Sequence, residues 1–203
     1  MPVRIADILL AWRRPLAALL LATLIAAAAY VLVADDVYEA DARVQVVPVS
    51  ADDETFEGFS VLRESKDEET PAQTAADLVE SSDVVDAVAT RLTRDRDDLL
   101  DAVSADADGA SNVVIVTARW SSPQAAAQIA NAFAEEFVAR RSSQFQADLE
   151  RAIARLRDVP GGEARIETLE AYEGLPDPTV EVVSDAVAPE SSVSPSPLVI
   201  IGG

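Results

Sequence analysis

The sequence predicts an α+β fold. An N-terminal transmembrane helix leads to a β-α-α-β-β-α-α-β domain with a protruding helical hairpin, and a second membrane helix begins at the C-terminal end. Three observations carry this. Residues Pro15–Ala34 form a run of twenty without a charge, bounded by Arg13-Arg14 and Asp35-Asp36. Beyond it, stretches of period two alternate with well-formed helix starts. Near the end, a Pro/Ser-rich segment gives way to the aliphatic run Leu198-Val199-Ile200-Ile201.

The charge-free run comes first. At about 1.5 Å per residue it covers roughly 30 Å, the thickness of a bilayer's hydrocarbon core. Secretion signals carry apolar cores of only about 7–15 residues, so the length favours a retained anchor over a cleaved leader. Arginines before it and carboxylates after it place residues 1–14 in the cytoplasm and the main domain, 35–187, outside. Residues 188–197 then form a strut, and 198–203 open a second membrane helix that the sequence leaves unfinished.

Tyr38–Val47 alternates, with Tyr38, Ala40, Ala42, Val44 and Val46 on one face and Glu39, Asp41, Arg43 and Gln45 on the other. That is a half-buried strand. Ser50–Glu69 loses all periodicity and holds eight acidic residues against Arg63 and Lys66, which predicts an exposed loop. Thr70-Pro71-Ala72-Gln73 is a capping-box start, with Pro71 where a missing N–H costs nothing. A second helix begins at Ser81 or Ser82 and carries Val84, Val85, Val88 and Leu92 on one stripe. A short helical stretch near Asp97–Val103 precedes Ser104–Asp106, and Asp108-Gly109 turns the chain into the buried strand Asn112–Trp120.

Ser121-Ser122-Pro123-Gln124 starts the longest helix, reaching to about Arg157. Ala126, Ile129, Phe133, Phe137, Phe145, Leu149, Ile153 and Leu156 recur on it at spacings of mostly three and four. Pro160-Gly161-Gly162 breaks it, and Glu163–Tyr172 runs back with Ile166 and Leu169 inward. The predicted hairpin spans about 123–174. A last strand is expected at Thr179–Val187.

Composition narrows the chemistry. Residues 1–34 carry a net charge of +2, whereas the remainder holds 13 Lys/Arg against 35 Asp/Glu, a net of −22. Such an excess repels nucleic acid phosphates. There is no His and no Cys, so the commonest general base, the commonest zinc ligand and disulfides are missing. Ser104-x-Asp106-x-Asp108-Gly109 has the look of a calcium loop, but its twelfth position is Ile115, where a bidentate Glu is required. Lys66, the only lysine, lies in the acidic loop and leaves no Ser–Lys nucleophile pair. No pair of carboxylates is placed in a pocket. No active site and no cofactor are expected.

Three local patterns carry a resemblance. They are Tyr38-Glu39-Ala40-Asp41-Ala42 after the anchor, Ser122-Pro123-Gln124 through Asn131-Ala132-Phe133 at the long helix start, and Ala186-Val187-Ala188-Pro189 followed by Val193-Ser194-Pro195-Ser196-Pro197-Leu198. Together with the two apolar ends, they resemble the chain-length-determinant (Wzz-type) family of polysaccharide co-polymerases, over nearly the whole chain. Ser192 stands where that family usually carries a proline. The resemblance marks Tyr38, Pro123, Asn131, Ala186, Pro189, Pro195 and Pro197 as structural or assembly residues.

It implies a non-enzymatic, homo-oligomeric scaffold in a bacterial cell membrane that works with a polysaccharide polymerase or the nascent polysaccharide and regulates chain length. The short hairpin resembles compact members that pair with a separate cytoplasmic tyrosine kinase, and no G-x-x-x-x-G-K-[ST] loop occurs in these 203 residues. A ligand-binding sensor domain is the alternative from a different class.

Overall fold

The computed structural model describes residues 17–26, 36–50, 52–64, 70–109 and 111–193. Residues 17–26 are helical and expose Leu19, Leu20, Leu21, Leu24 and Ile25. They fall within the predicted first span, whose remainder lies outside the described residues, as do the C-terminal apolar run, Pro195 and Pro197. No helix among the described residues is long and apolar enough to cross a membrane.

Val37–Val193 forms one compact unit. Its elements are β1 (Tyr38–Val46), α1 (Pro71–Val79), α2 (Ser82–Leu92), α3 (Arg96–Ala102), β2 (Val103–Ala107), β3 (Val113–Trp120), α4 (Pro123–Leu156), α5 (Glu163–Glu170) and β4 (Val180–Ser184). The α+β class stands. The short helical stretch expected near Asp97–Val103 is α3, a two-turn helix capped by Asp95, whose carboxylate accepts the Asp97 N–H at 2.9 Å.

The four strands form an antiparallel sheet in the order β2-β3-β1-β4. Alternation decides its faces. Ala40, Ala42, Val44 and Val46 on β1, Val114, Val116 and Ala118 on β3, Ala105 on β2 and Val180 on β4 are all buried. Helices α1, α2 and α4 cover that side with Ala75, Ala76, Val79, Val85, Val88, Ile129, Phe133 and Phe137, which share one core with the strands. The other side is polar: Arg119 pairs with Glu39 at 2.7 Å, and the Thr117 hydroxyl donates to Asp41 at 2.8 Å. At the β2 edge, the Ala105 N–H donates to the Glu80 carboxylate at 2.7 Å, so a side chain occupies a ladder position that would otherwise stand open.

Helix starts follow their capping residues. The Gln73 N–H donates to the Thr70 hydroxyl at 3.2 Å, and the Ala125 N–H to Ser122 at 3.2 Å, each just before a proline in the first turn. The reciprocal half of the expected capping box does not form, because the Gln73 amide reaches forward to Asp77 at 3.5 Å. Between β2 and β3, Gly109 takes φ +56°, where a side chain would be strained, and the Asp108 N–H donates to the Val113 carbonyl at 2.8 Å.

Helix α4 has 34 residues and measures about 50 Å. Its first half lies on the sheet. Its second half builds a separate core in which Phe145, Leu149, Ala152 and Ile153 meet Leu169 of α5, so the chain folds back as a helical hairpin.

One expectation is overturned. The acidic segment predicted as an exposed loop contributes Phe56 and Phe59 to this second core, and Leu62 to the first. A bridge between Val49 and Arg63 closes it into a loop. It lies along the hairpin, so the hairpin does not stand free of the rest.

Candidate functional site

The two ends of α4 do different work, and the residues between them form a polar seam with a dense hydrogen-bond network. From Phe137 to Phe145 the helix offers no large apolar side chain inward, since Val138 is half-buried and positions 139–144 read Ala-Arg-Arg-Ser-Ser-Gln. Polar side chains fill this seam between the two cores. Arg141 points inward at 11% side-chain exposure and lies 2.9 Å from Oδ2 of Asp177, whose side chain is fully buried. The two approach as an ion pair without hydrogen-bond alignment, leaving Arg141 Nε and Asp177 Oδ2 without a hydrogen bond.

The pair is embedded in further bonds. The same Arg141 nitrogen, Nη2, donates to the Ser60 carbonyl at 2.5 Å, while the Ser60 N–H donates to buried Asp148 at 2.8 Å. Ser60 is thus gripped at both backbone groups by one helix. Asp177 Oδ1 accepts the Thr179 N–H at 2.8 Å and its hydroxyl at 2.5 Å, and the Asp177 N–H donates to Ser142 at 3.1 Å. The Gln146 amide nitrogen holds the Tyr172 and Leu175 carbonyls at 3.0 and 2.6 Å, and its oxygen accepts the Gly174 N–H at 3.0 Å. Four polar positions on α4 therefore fix the loop after β1 and the loop before β4.

An open groove of about 690 Å³ runs beside this seam, lined by Asp83, Val84, Glu136, Arg140, Gln144 and Arg151 among others. Its arginines are answered by carboxylates of the same chain: Arg140 by Glu136 at 3.1 Å and Arg151 by Asp148 at 2.5 Å. Little uncompensated charge faces a ligand there. Among the described residues, no group of three or more carboxylates comes together in a metal-binding arrangement. In the acidic loop, the Thr55 hydroxyl and N–H both bond to Asp53 and hold its carboxyl below the usual aspartate value, with Arg63 adding to the effect.

Five of the seven residues singled out in the sequence lie in the described structure. Tyr38 opens β1, opposite Trp120 at the end of β3. Pro123 occupies the first turn of α4. Asn131 and Ala186 meet: the Asn131 amide donates to the Ala186 carbonyl at 3.0 Å and its oxygen accepts the Ala186 N–H at 2.7 Å. Pro189 follows, half-buried. This clamp explains why β4 ends at Ser184 rather than at Val187 as expected, since the backbone of Ala186 is satisfied by a side chain instead of a ladder.

Replacing Asn131 with alanine leaves both backbone groups of buried Ala186 without partners, at a cost of about 1–3 kcal/mol. The Ala186 amide is expected to lose protection in hydrogen exchange, while Val116 in the centre of the sheet keeps its own. Equal loss at both positions would show that the clamp is not local.

No local pattern in the sequence ties Arg141, Ser60, Asp148 and Asp177 together. The only hint was the gap in the phenylalanine stripe of the long helix at Arg141.

Residues 3–92 match the family described as chain length determinant protein, Wzz. Among solved structures, a full-length bacterial polysaccharide co-polymerase aligns with a TM-score of 0.47 and 10% identity, covering 98% of this chain and 92% of that one. No curated protein matches the chain. Over those 90 of its 203 residues, the chain is similar to the chain length determinant (Wzz-type) family.

Proposed function

We propose that this protein is a non-enzymatic membrane scaffold that takes part in making or exporting a surface polysaccharide and biases its chain length. The family supports the polysaccharide role. The observation that carries the scaffold reading is the meeting of the domain's two ends, where the Val193 N–H donates to the Val37 carbonyl at 2.7 Å. A chain that leaves its domain on both sides of one hydrogen bond is suited to being held twice by one membrane. The exposed leucines of residues 17–26 support lipid as the solvent of the first span.

In this reading residues 1–14 are cytoplasmic, 15–34 span the bilayer, 35–187 lie outside and the prolines of 188–197 stiffen the return to the membrane. Tyr38, Pro123, Asn131, Ala186 and Pro189 then serve to fix the strand, helix and strut that join domain to membrane. Copies of the chain assemble side by side, and their hairpins face the polymerase or its product. A cytoplasmic tyrosine kinase is the further partner suggested by the short hairpin.

Deleting the protein is expected to change the length distribution of the polysaccharide seen as a ladder on a gel. An unaltered ladder overturns the proposal. A ligand-sensing domain predicts that unaltered ladder, together with a monomer in detergent by light scattering.

A further inference from the structure

We infer that the end of the sheet carrying Tyr38 and Trp120 rests in the headgroup layer of a lipid membrane, with Trp120 and Arg94 as its contact groups. The inference deepens the proposed anchoring by residues 15–34 and depends on it.

The juxtaposition is built by register. Tyr38 is the first residue of β1 and pairs with Trp120, the last of β3, so two amphipathic aromatic residues share one end of the sheet. Each packs against the margin of the core and remains only half-buried. The Arg94 guanidinium lies 4.5 Å from the centre of the Trp120 ring. Thr93 puts it there: at the end of α2 it adopts a left-handed φ of 52°, and the chain turns so that the Arg94 N–H bonds back to the Ala89 carbonyl at 3.0 Å. Val193, bonded to Val37 at the same end, is 52% exposed.

Chain length bounds how far this end can stand from the bilayer. Tyr38 is four residues past Ala34, the last residue of the charge-free run. Four residues span at most about 14 Å when fully extended. Each headgroup layer is itself about 5–7 Å deep. A domain tethered so closely has its first strand within or just above that layer. Trp, Tyr and Arg are the side chains suited to such a depth, since each presents an apolar body and a polar or charged tip. The chain past residue 34 carries a net charge of −22, which disfavours an anionic surface. The partner is therefore the neutral, zwitterionic headgroup and glycerol layer.

Trp12 and Trp120 are the only tryptophans, so Trp12→Phe leaves Trp120 as a sole reporter in the full chain. The variant is reconstituted in phosphatidylcholine vesicles with or without a nitroxide on the headgroup, and the vesicles are floated to verify that protein travels with lipid. Headgroup nitroxide is expected to lower Trp120 emission by about half, and a nitroxide at the end of the acyl chain to lower it less. Emission unaffected by either label in floated protein overturns the inference and leaves the anchoring intact. Protein that fails to float overturns the anchoring itself, and the inference with it.

Discussion

Replacing Asp177 with alanine is expected to lower the stability of the folded domain by about 3–5 kcal/mol, because it strands Arg141 in the seam between the two cores. Surface ion pairs contribute little, and Arg91–Glu135 and Arg96–Asp86, with side chains 43–60% exposed, belong to that class. The Arg141–Asp177 pair does not, since its members are 11% and 0% exposed. For a domain of this size the loss corresponds to a fall in melting temperature of roughly 10 °C.

Arg141→Ala is expected to cost a similar amount, since it leaves Asp177 buried and charged and frees the Ser60 carbonyl. The double variant Arg141→Met with Asp177→Leu removes both charges and should recover part of the loss. Recovery stays incomplete because Asp177 also holds the Thr179 N–H and hydroxyl. Thermal unfolding of the three variants of the full chain in detergent checks the ordering. Single variants within about 1 °C of the parent would show that the pair is a bystander in the fold.

Most of the first core was legible in the sequence. Tyr38–Val47 alternates cleanly, and β1 follows that alternation from Tyr38 to Val46, one residue short of the expected end. Ser122-Pro123 states where α4 begins, and the stripe from Ile129 to Ile153 states what it buries. These signals are local: a period, a cap and a turn each report on their own few residues. The acidic loop is the opposite case. Nothing within Asp52–Glu64 specifies order, and its fixed conformation comes from Arg63 reaching the Asp53 and Phe56 carbonyls, Arg165 reaching Glu54, and α4 gripping Ser60. Phe56 and Phe59, three residues apart in an otherwise charged stretch, were the one available signal. Asp177 was hidden for a related reason. In a segment reading Pro-Asp-Pro-Thr, an aspartate resembles any turn residue, and only a partner 36 positions away makes it a buried anion.

The division of α4 between two cores leads to the second large effect. Phe145 is 2% exposed and touches three rings at once, with centroids 5.7 Å from Phe56, 5.9 Å from Phe59 and 6.3 Å from Tyr172. Phe145→Ala removes the centre of this cluster and is expected to cost about 3–5 kcal/mol. The loss should not spread evenly. The second core is small and is joined to the sheet chiefly through one continuous helix and the polar seam at Arg141. The main core contains neither Phe145 nor any ring it touches.

Hydrogen exchange should therefore show lost protection in the described loop 52–64, the end of α4 and α5, while Val114 and Val116 remain protected. Uniform loss across the sheet would mean that the two cores unfold as one and that the seam is no boundary. If the hairpin is the part that meets the polysaccharide machinery, the same variant should disturb the length ladder while the protein remains in the membrane. Sheet, clamp and anchor would then be separable from length control by a single side chain.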